Sequence, residues 1–166
     1  MFKMKTKMIL IAFCMTIMFC MCACSGNTKN SGDNQDAVTE ISASETIGDS
    51  TMIMKIGDTK VNVEWEDNQA VEALRDMAKD GDITIQMSMY GGFEQVGSIG
   101  QSLPRDDKQT TTSSGDIVLY SGNQMVVFYG SNSWSYTRLG HISDKDEAEM
   151  AELLSNGDVT ITISRE

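Results

Sequence analysis

The chain has 166 residues and a net charge of −11, with 24 acidic against 13 basic side chains. An acid excess of this size repels nucleic acid and anionic headgroups, and no basic cluster offsets it, so nucleic-acid binding is excluded. All four cysteines (Cys14, Cys20, Cys22, Cys24) fall in the first 24 residues, so the remainder must be held by packing and not by disulfides.

The chain opens with Lys3, Lys5 and Lys7, then an apolar run from Met8 to Ala23, then Cys24-Ser25-Gly26-Asn27. A basic segment, a short apolar segment and small residues at a cut site make an export signal. The run is shorter than the ~20 residues a spanning helix needs. A cysteine directly after Ala23, followed by polar residues, resembles a bacterial lipoprotein signal, with Met21 where that signal usually has leucine. The resemblance implies cleavage after residue 23, lipidation of Cys24, and an extracytoplasmic protein anchored to the cell membrane. Two or more acyl chains give stable attachment where one does not. An ordinary cleaved signal and an uncleaved anchor are the alternatives. The tight Cys20-x-Cys22-x-Cys24 spacing in an apolar run fits cysteine as a small hydrophobe, not a metal ligand.

Residues 24–50 are dominated by Ser, Asn, Gly, Asp and Thr without apolar periodicity, and read as a flexible, disordered linker. Such a tether reaches roughly 25–30 Å on average. Residues 51–166 form one domain of mainly β character. Met52, Met54 and Ile56, then Val61, Val63 and Trp65, alternate with polar residues around Gly57-Asp58, which predicts a hairpin. A helix follows from Asp67 to Lys79, capped by Asp67 and ended by Gly81. Ile83, Ile85, Met87 and Met89 predict a third strand, and Gly91 to Pro104 a Gly-rich irregular segment. Residues 105–114 read as a polar loop. Asp116–Ser121 and Gln124–Tyr129 read as strands about a tight turn, and Trp134–Leu139 as another. A second helix spans about Asp144 to Leu154, with a capping box from Asp144 and Glu147, and Asp158–Ser164 is the last strand.

One segment recurs. Asp80-Gly81-Asp82-Ile83-Thr84-Ile85 is echoed by Asn156-Gly157-Asp158-Val159-Thr160-Ile161, each after a short amphipathic helix. Either the chemistry of stopping a helix and starting a strand has converged, or these are two equivalent corners of a closed barrel.

Glu66-Asp67-Asn68 opening a helix after a hairpin, the Gly-rich segment ending in Leu103-Pro104, Gly115-Asp116-Ile117-Val118-Leu119-Tyr120, Ser135-Tyr136-Thr137-Arg138-Leu139-Gly140-His141-Ile142 and Gly157-Asp158-Val159-Thr160 together resemble the bacterial cyclophilin-like fold proteins. The resemblance implies a closed β-barrel of about eight strands capped by two short α-helices. Closure suits an exported β domain because it leaves no open edge. It does not carry prolyl isomerisation: the Phe-His-Arg and Phe-x-x-Gln-Gly-Gly segments of true cyclophilins are missing, and the nearest stretch, Tyr90-Gly91-Gly92-Phe93-Glu94-Gln95, has no arginine.

Two groups of residues are candidates for ligand binding. Tyr90 and Phe93 flank Gly91-Gly92, and Trp134, Tyr136, Arg138 and His141 form an aromatic and cationic group. Brought together, they would make an aromatic pocket with one arginine, suited to a carbonyl, a carboxylate or a peptide backbone. The plainer readings are that Trp134 and Tyr136 are core or rim aromatics, Arg138 a surface ion-pair partner, His141 a hydrogen-bonded loop residue and Gly91-Gly92 a turn. With one histidine there is no Ser-His-Asp set. No His/Cys cluster suggests zinc, and Gly97-Ser98-Ile99-Gly100 lacks the lysine of a phosphate loop. Asp106-Asp107 and the Asp144–Glu147 run offer at most weak calcium ligands, the second already explained by capping. The methionines outside the signal suit adaptable core filling. The expectation is a tethered, non-catalytic binding module for a peptide or small ligand, without cofactor or metal. Weak prolyl isomerisation with Arg138 standing in for the family arginine, and a structural or assembly role, are the alternatives.

Overall fold

The computed structural model describes residues 51–166. The signal, lipidation and linker expectations for residues 1–50 lie outside the described residues. Ten strands and two helices follow in order: β1 (Met52–Ile56), β2 (Thr59–Val61), β3 (Val63–Trp65), α1 (Gln69–Asp80), β4 (Ile83–Tyr90), β5 (Glu94–Ser98), β6 (Lys108–Thr111), β7 (Asp116–Tyr120), β8 (Gln124–Phe128), β9 (Ser133–Ile142), α2 (Glu147–Leu154) and β10 (Val159–Arg165).

Nine strands run antiparallel in the order β2-β1-β10-β4-β5-β8-β7-β9-β3, and β6 pairs with β9 off this path. The path begins on β2 and ends on β3, which are consecutive in the chain, so the sheet curls into a nearly closed barrel. The sequence pattern of Val61, Val63 and Trp65 reads as one strand. It changes partner at Asn62, from β1 on one side to β9 on the other. Counted as one bent strand, β2 and β3 bring the barrel to eight. The bend is held because the Asn62 N–H donates to Asp144 Oδ1 at 2.9 Å and the Ser143 N–H donates to the Asn62 carbonyl at 2.9 Å. Backbone groups that leave the ladder thus keep partners.

The interior holds one large core, with Met54, Ile85, Ile117, Leu119, Met125, Val127 and Ile161 among its fully or almost fully buried side chains. Helix α1 adds Val71 and Leu74, and α2 adds Met150 and Leu154. A second, smaller cluster of Val118, Val126, Phe128 and Tyr136 lies on the opposite face of β7, β8 and β9. The alternation of 117/119 with 118, and of 125/127 with 126/128, divides these side chains between the two clusters. That is why these strands read as unbroken apolar runs: both faces are covered.

Helix boundaries differ in detail from the sequence reading. Asn68, not Asp67, caps α1, its Oδ1 accepting from the Val71 N–H at 3.0 Å while its amide donates to the Arg138 carbonyl. The capping box of α2 is Asp146 with Glu149. Asp144 is instead occupied by Asn62. The echoed segments form two helix-to-strand corners, with Gly81 at φ +149° and Gly157 at φ +137°. Only glycine visits that region without strain. Their strands are neighbours, with Ile83, Thr84 and Ile85 opposite Ile163, Thr162 and Ile161.

Two strands were hidden in the sequence. β5 lies within the segment read as irregular, and β6 within the segment read as a polar loop. β6 (Lys-Gln-Thr-Thr) shows no apolar alternation because it edges the sheet, pairing only with β9.

Candidate functional site

The site grows from the β4–β5 hairpin. Gly91 and Gly92 have φ +63° and +77°, and the Phe93 N–H donates to the Tyr90 carbonyl at 3.4 Å, so the chain reverses in a tight turn. A side chain at Gly91 would run into the Phe93 ring, with 2.4 Å to its Cε1. The turn sets Tyr90 directly opposite Glu94, and Glu94 in turn opposite Phe128 of β8. Residues directly opposite share a face, so Tyr90, Glu94 and Phe128 all lie on the outer face of the sheet.

There, Glu94 and Val96 of β5 and Gln124 and Val126 of β8 meet Tyr90, Tyr120, Asn132, Trp134 and Tyr136 around a cleft of about 390 Å³. Its aromatic walls stand at an angle. Tyr120 and Tyr136 pack edge to face, 6.1 Å between centroids at 68°, and Tyr136 packs on Phe128 in the same way. The Asn132 amide donates to the Tyr136 hydroxyl at 3.1 Å, which fixes that ring. Four large apolar side chains are exposed among the described residues, and three of them line this cleft: Tyr90 at 67%, Trp134 at 58% and Tyr120 at 37%. Single exposed apolar groups are ordinary, but a convergent set is not.

Glu94 is the one charged residue that lines the cleft, and it is only 5% exposed. Its Oε2 is buried without a hydrogen-bond partner. Burial therefore pushes the carboxyl up to about 7. Its neighbour Gln95 points to the other face, where its amide donates to the Leu154 and Gly157 carbonyls, both at 2.7 Å, and ties the end of α2 to the barrel.

Of the residues singled out in the sequence, Tyr90, Trp134 and Tyr136 come together in this cleft. Phe93 is partly buried against the outer-face cluster and does not line it. Arg138 and His141 lie apart from it. Arg138 Nη2 donates to Asp116 Oδ1 at 3.0 Å and Nε donates to Glu66 Oε1 at 3.0 Å. His141 Nδ1 lies 2.9 Å from the same Asp116 oxygen, and Asp116 Oδ2 accepts from the Ser113 N–H at 2.8 Å. Burial raises the Asp116 carboxyl, but the hydrogen bonds from Ser113, His141 and Arg138 outweigh it and hold the group below the ordinary carboxylate range. The arrangement is a polar clamp joining β7, β9 and the residue that follows β3, Glu66. No group of three or more His, Cys, Asp or Glu side chains capable of holding a metal occurs among the described residues.

Sequence reasoning missed Glu94, Tyr120, Gln124 and Asn132. The strand Glu-Gln-Val-Gly-Ser carries a buried polar group on each face, so the apolar alternation that marks a strand is erased. The available signal was the Gly91-Gly92 turn, which sets Glu94 across from Tyr90 once it is read as a hairpin.

A curled antiparallel barrel with two helices packed against its core and an aromatic cleft on its outer face defines a class of small β-barrel domains. The cyclophilin-like family model matches residues 54–164, and the chain belongs to that family. It is similar in fold to the solution structure of a hypothetical protein from Archaeoglobus fulgidus, with a TM-score of 0.52 and 15% identity over 70% of this chain and 95% of that one. No curated protein matches the sequence.

Proposed function

We propose that this protein is a non-catalytic binding module, tethered outside the cytoplasm by a lipid on Cys24, whose ligand enters the cleft between Tyr90 and Trp134. The observation that carries this reading is the convergence of three exposed aromatics on a cleft with a buried, unpaired carboxyl. Holding such a group in the folded state destabilises it, and the combination of aromatic walls with one polar group suits ligand recognition. The tether rests on Lys3, Lys5, Lys7, the apolar run and Cys24. Prolyl isomerisation through Arg138 finds less support, because that guanidinium is engaged by Glu66 and Asp116 and does not line the cleft.

The test is a fragment screen read by NMR on the full chain in non-ionic detergent. Shifts concentrated on Tyr90, Tyr120 and Trp134, and lost in Trp134→Ala, are the expected result. Fragments that bind only elsewhere on the barrel would refute the cleft as the site.

A further inference from the structure

The chemistry of the cleft selects its ligand. Resting on the binding reading above, we infer that the cleft takes an organic ammonium ion, with Glu94 as counter-ion and Tyr90, Tyr120, Trp134 and Tyr136 as aromatic walls.

Four observations lead there. Glu94 is 5% exposed and lines the cleft, and its Oε2 has no partner, so an entering group that donates to it or neutralises it removes an existing desolvation cost. No lysine, arginine or histidine lines the cleft. An anionic ligand would therefore set a second negative charge beside Glu94 with nothing to balance it, and a wholly apolar ligand would leave the carboxyl unsatisfied. The walls are ring systems whose faces attract cations, and the edge-to-face packing of Tyr120 on Tyr136 turns those faces in different directions. Finally, the chain carries a net charge of −11, which draws cations towards it.

The surroundings of Glu94 support the same choice. Tyr90 faces it from β4, and Tyr120 and Tyr136 share the cleft from β7 and β9; β8 contributes Gln124, Val126 and Phe128, none of them ionisable. The carboxyl, pushed up to about 7 by burial alone, has no resident cation to ionise it. A bound ammonium supplies one. The ammonium can belong to a free small molecule or to a lysine side chain of a peptide; the chemistry of recognition is shared.

The experiment titrates the full chain in non-ionic detergent with choline, with its neutral isostere 3,3-dimethylbutan-1-ol, and with N-acetyl-lysine methylamide, following the Trp134 and Tyr90 ring signals by NMR. Choline or the lysine amide should bind at least about tenfold tighter than the neutral alcohol, as a desolvated cation–aromatic contact beside a carboxylate requires. Glu94→Gln should cut that preference severalfold, leaving only the share that the aromatic walls supply; an unchanged preference would remove Glu94 as the counter-ion. Tighter binding of choline assigns a free small molecule, and tighter binding of the lysine amide assigns a peptide; both sustain the inference. Equal binding of choline and the alcohol by the native chain would overturn the ammonium assignment and leave the cleft intact as a binding site. If none of the three moves the ring signals, the ammonium assignment falls as well. The binding reading then stands or falls separately, on the wider fragment screen.

Discussion

Asp116 and Arg138 lie 3.0 Å apart, carboxylate oxygen to guanidinium, and His141 shares the same oxygen at 2.9 Å. The carboxylate is 5% exposed, while the guanidinium is 37% exposed and also reaches Glu66. The arginine and the histidine are thus committed to holding strands together, which separates the clamp from the cleft.

Removing Arg138 therefore tests architecture and not recognition. Arg138→Ala leaves a buried carboxylate with fewer donors and should destabilise the domain by about 1–3 kcal/mol, discounted for the solvent that already screens the guanidinium. Urea denaturation measures this. Ligand titrations at the cleft should be unchanged; a loss of binding without a loss of stability would return Arg138 to the site.

Acid should act on the same clamp. A carboxyl held below its ordinary 3.8 contributes stability that is present above that value and is lost as the pH falls through the lower folded value. Asp116→Asn removes this dependence. Thermal melts of the two proteins between pH 2 and 6 should converge at the acid end and diverge above it, with the native chain the more stable.

Glu94 carries the opposite sign. Its carboxyl is raised from 4.5 to about 7, so the folded state holds a proton that the unfolded state releases between those values. Its contribution to stability is greatest below 4.5, declines as the pH rises through this window, and is lost above 7. Glu94→Gln should match the native protein at pH 4 and exceed it at pH 8 by on the order of 3 kcal/mol, from about 1.4 kcal/mol per pH unit. Chemical denaturation at the two values measures the difference. An equal stability difference at both would mean that the carboxyl is not shifted.

Gln95 ties α2 to the barrel through two carbonyls at 2.7 Å. Gln95→Leu removes both donors and should cost about 1–3 kcal/mol. Amide exchange should then speed up in residues 147–154 more than in α1; a uniform increase across the domain would argue against a local tie.

The two echoed corners make a last pair. A Cβ at Gly81 or Gly157 meets nothing within 4 Å, so any penalty comes from the backbone. At φ +149° and +137° the substitutions Gly81→Ala and Gly157→Ala should each destabilise by more than about 1 kcal/mol. Melting temperatures that do not fall in either variant would show that the corners tolerate another conformation.

Much of the fold was legible because it follows from local physics. The two-residue period of Ile83–Met89 and of Val159–Ile163, the apolar face of α1, and the glycines after both helices each reflect a constraint within a few residues. The mainly β class follows from those elements; the family resemblance rested instead on short motifs, chiefly Tyr136-Thr137-Arg138-Leu139-Gly140, and the family model matches residues 54–164. What only the tertiary structure decided was everything that depends on partners distant in the chain. The bend at Asn62 needs Ser143 and Asp144, and β6 is a strand only because β9 lies beside it. Glu94 looks like a surface acid in a polar run. It becomes the buried carboxyl of an aromatic cleft only when β5 is laid between β4 and β8 and residues 120, 134 and 136 close around it, because burial is a property of the assembled surface and not of the residue.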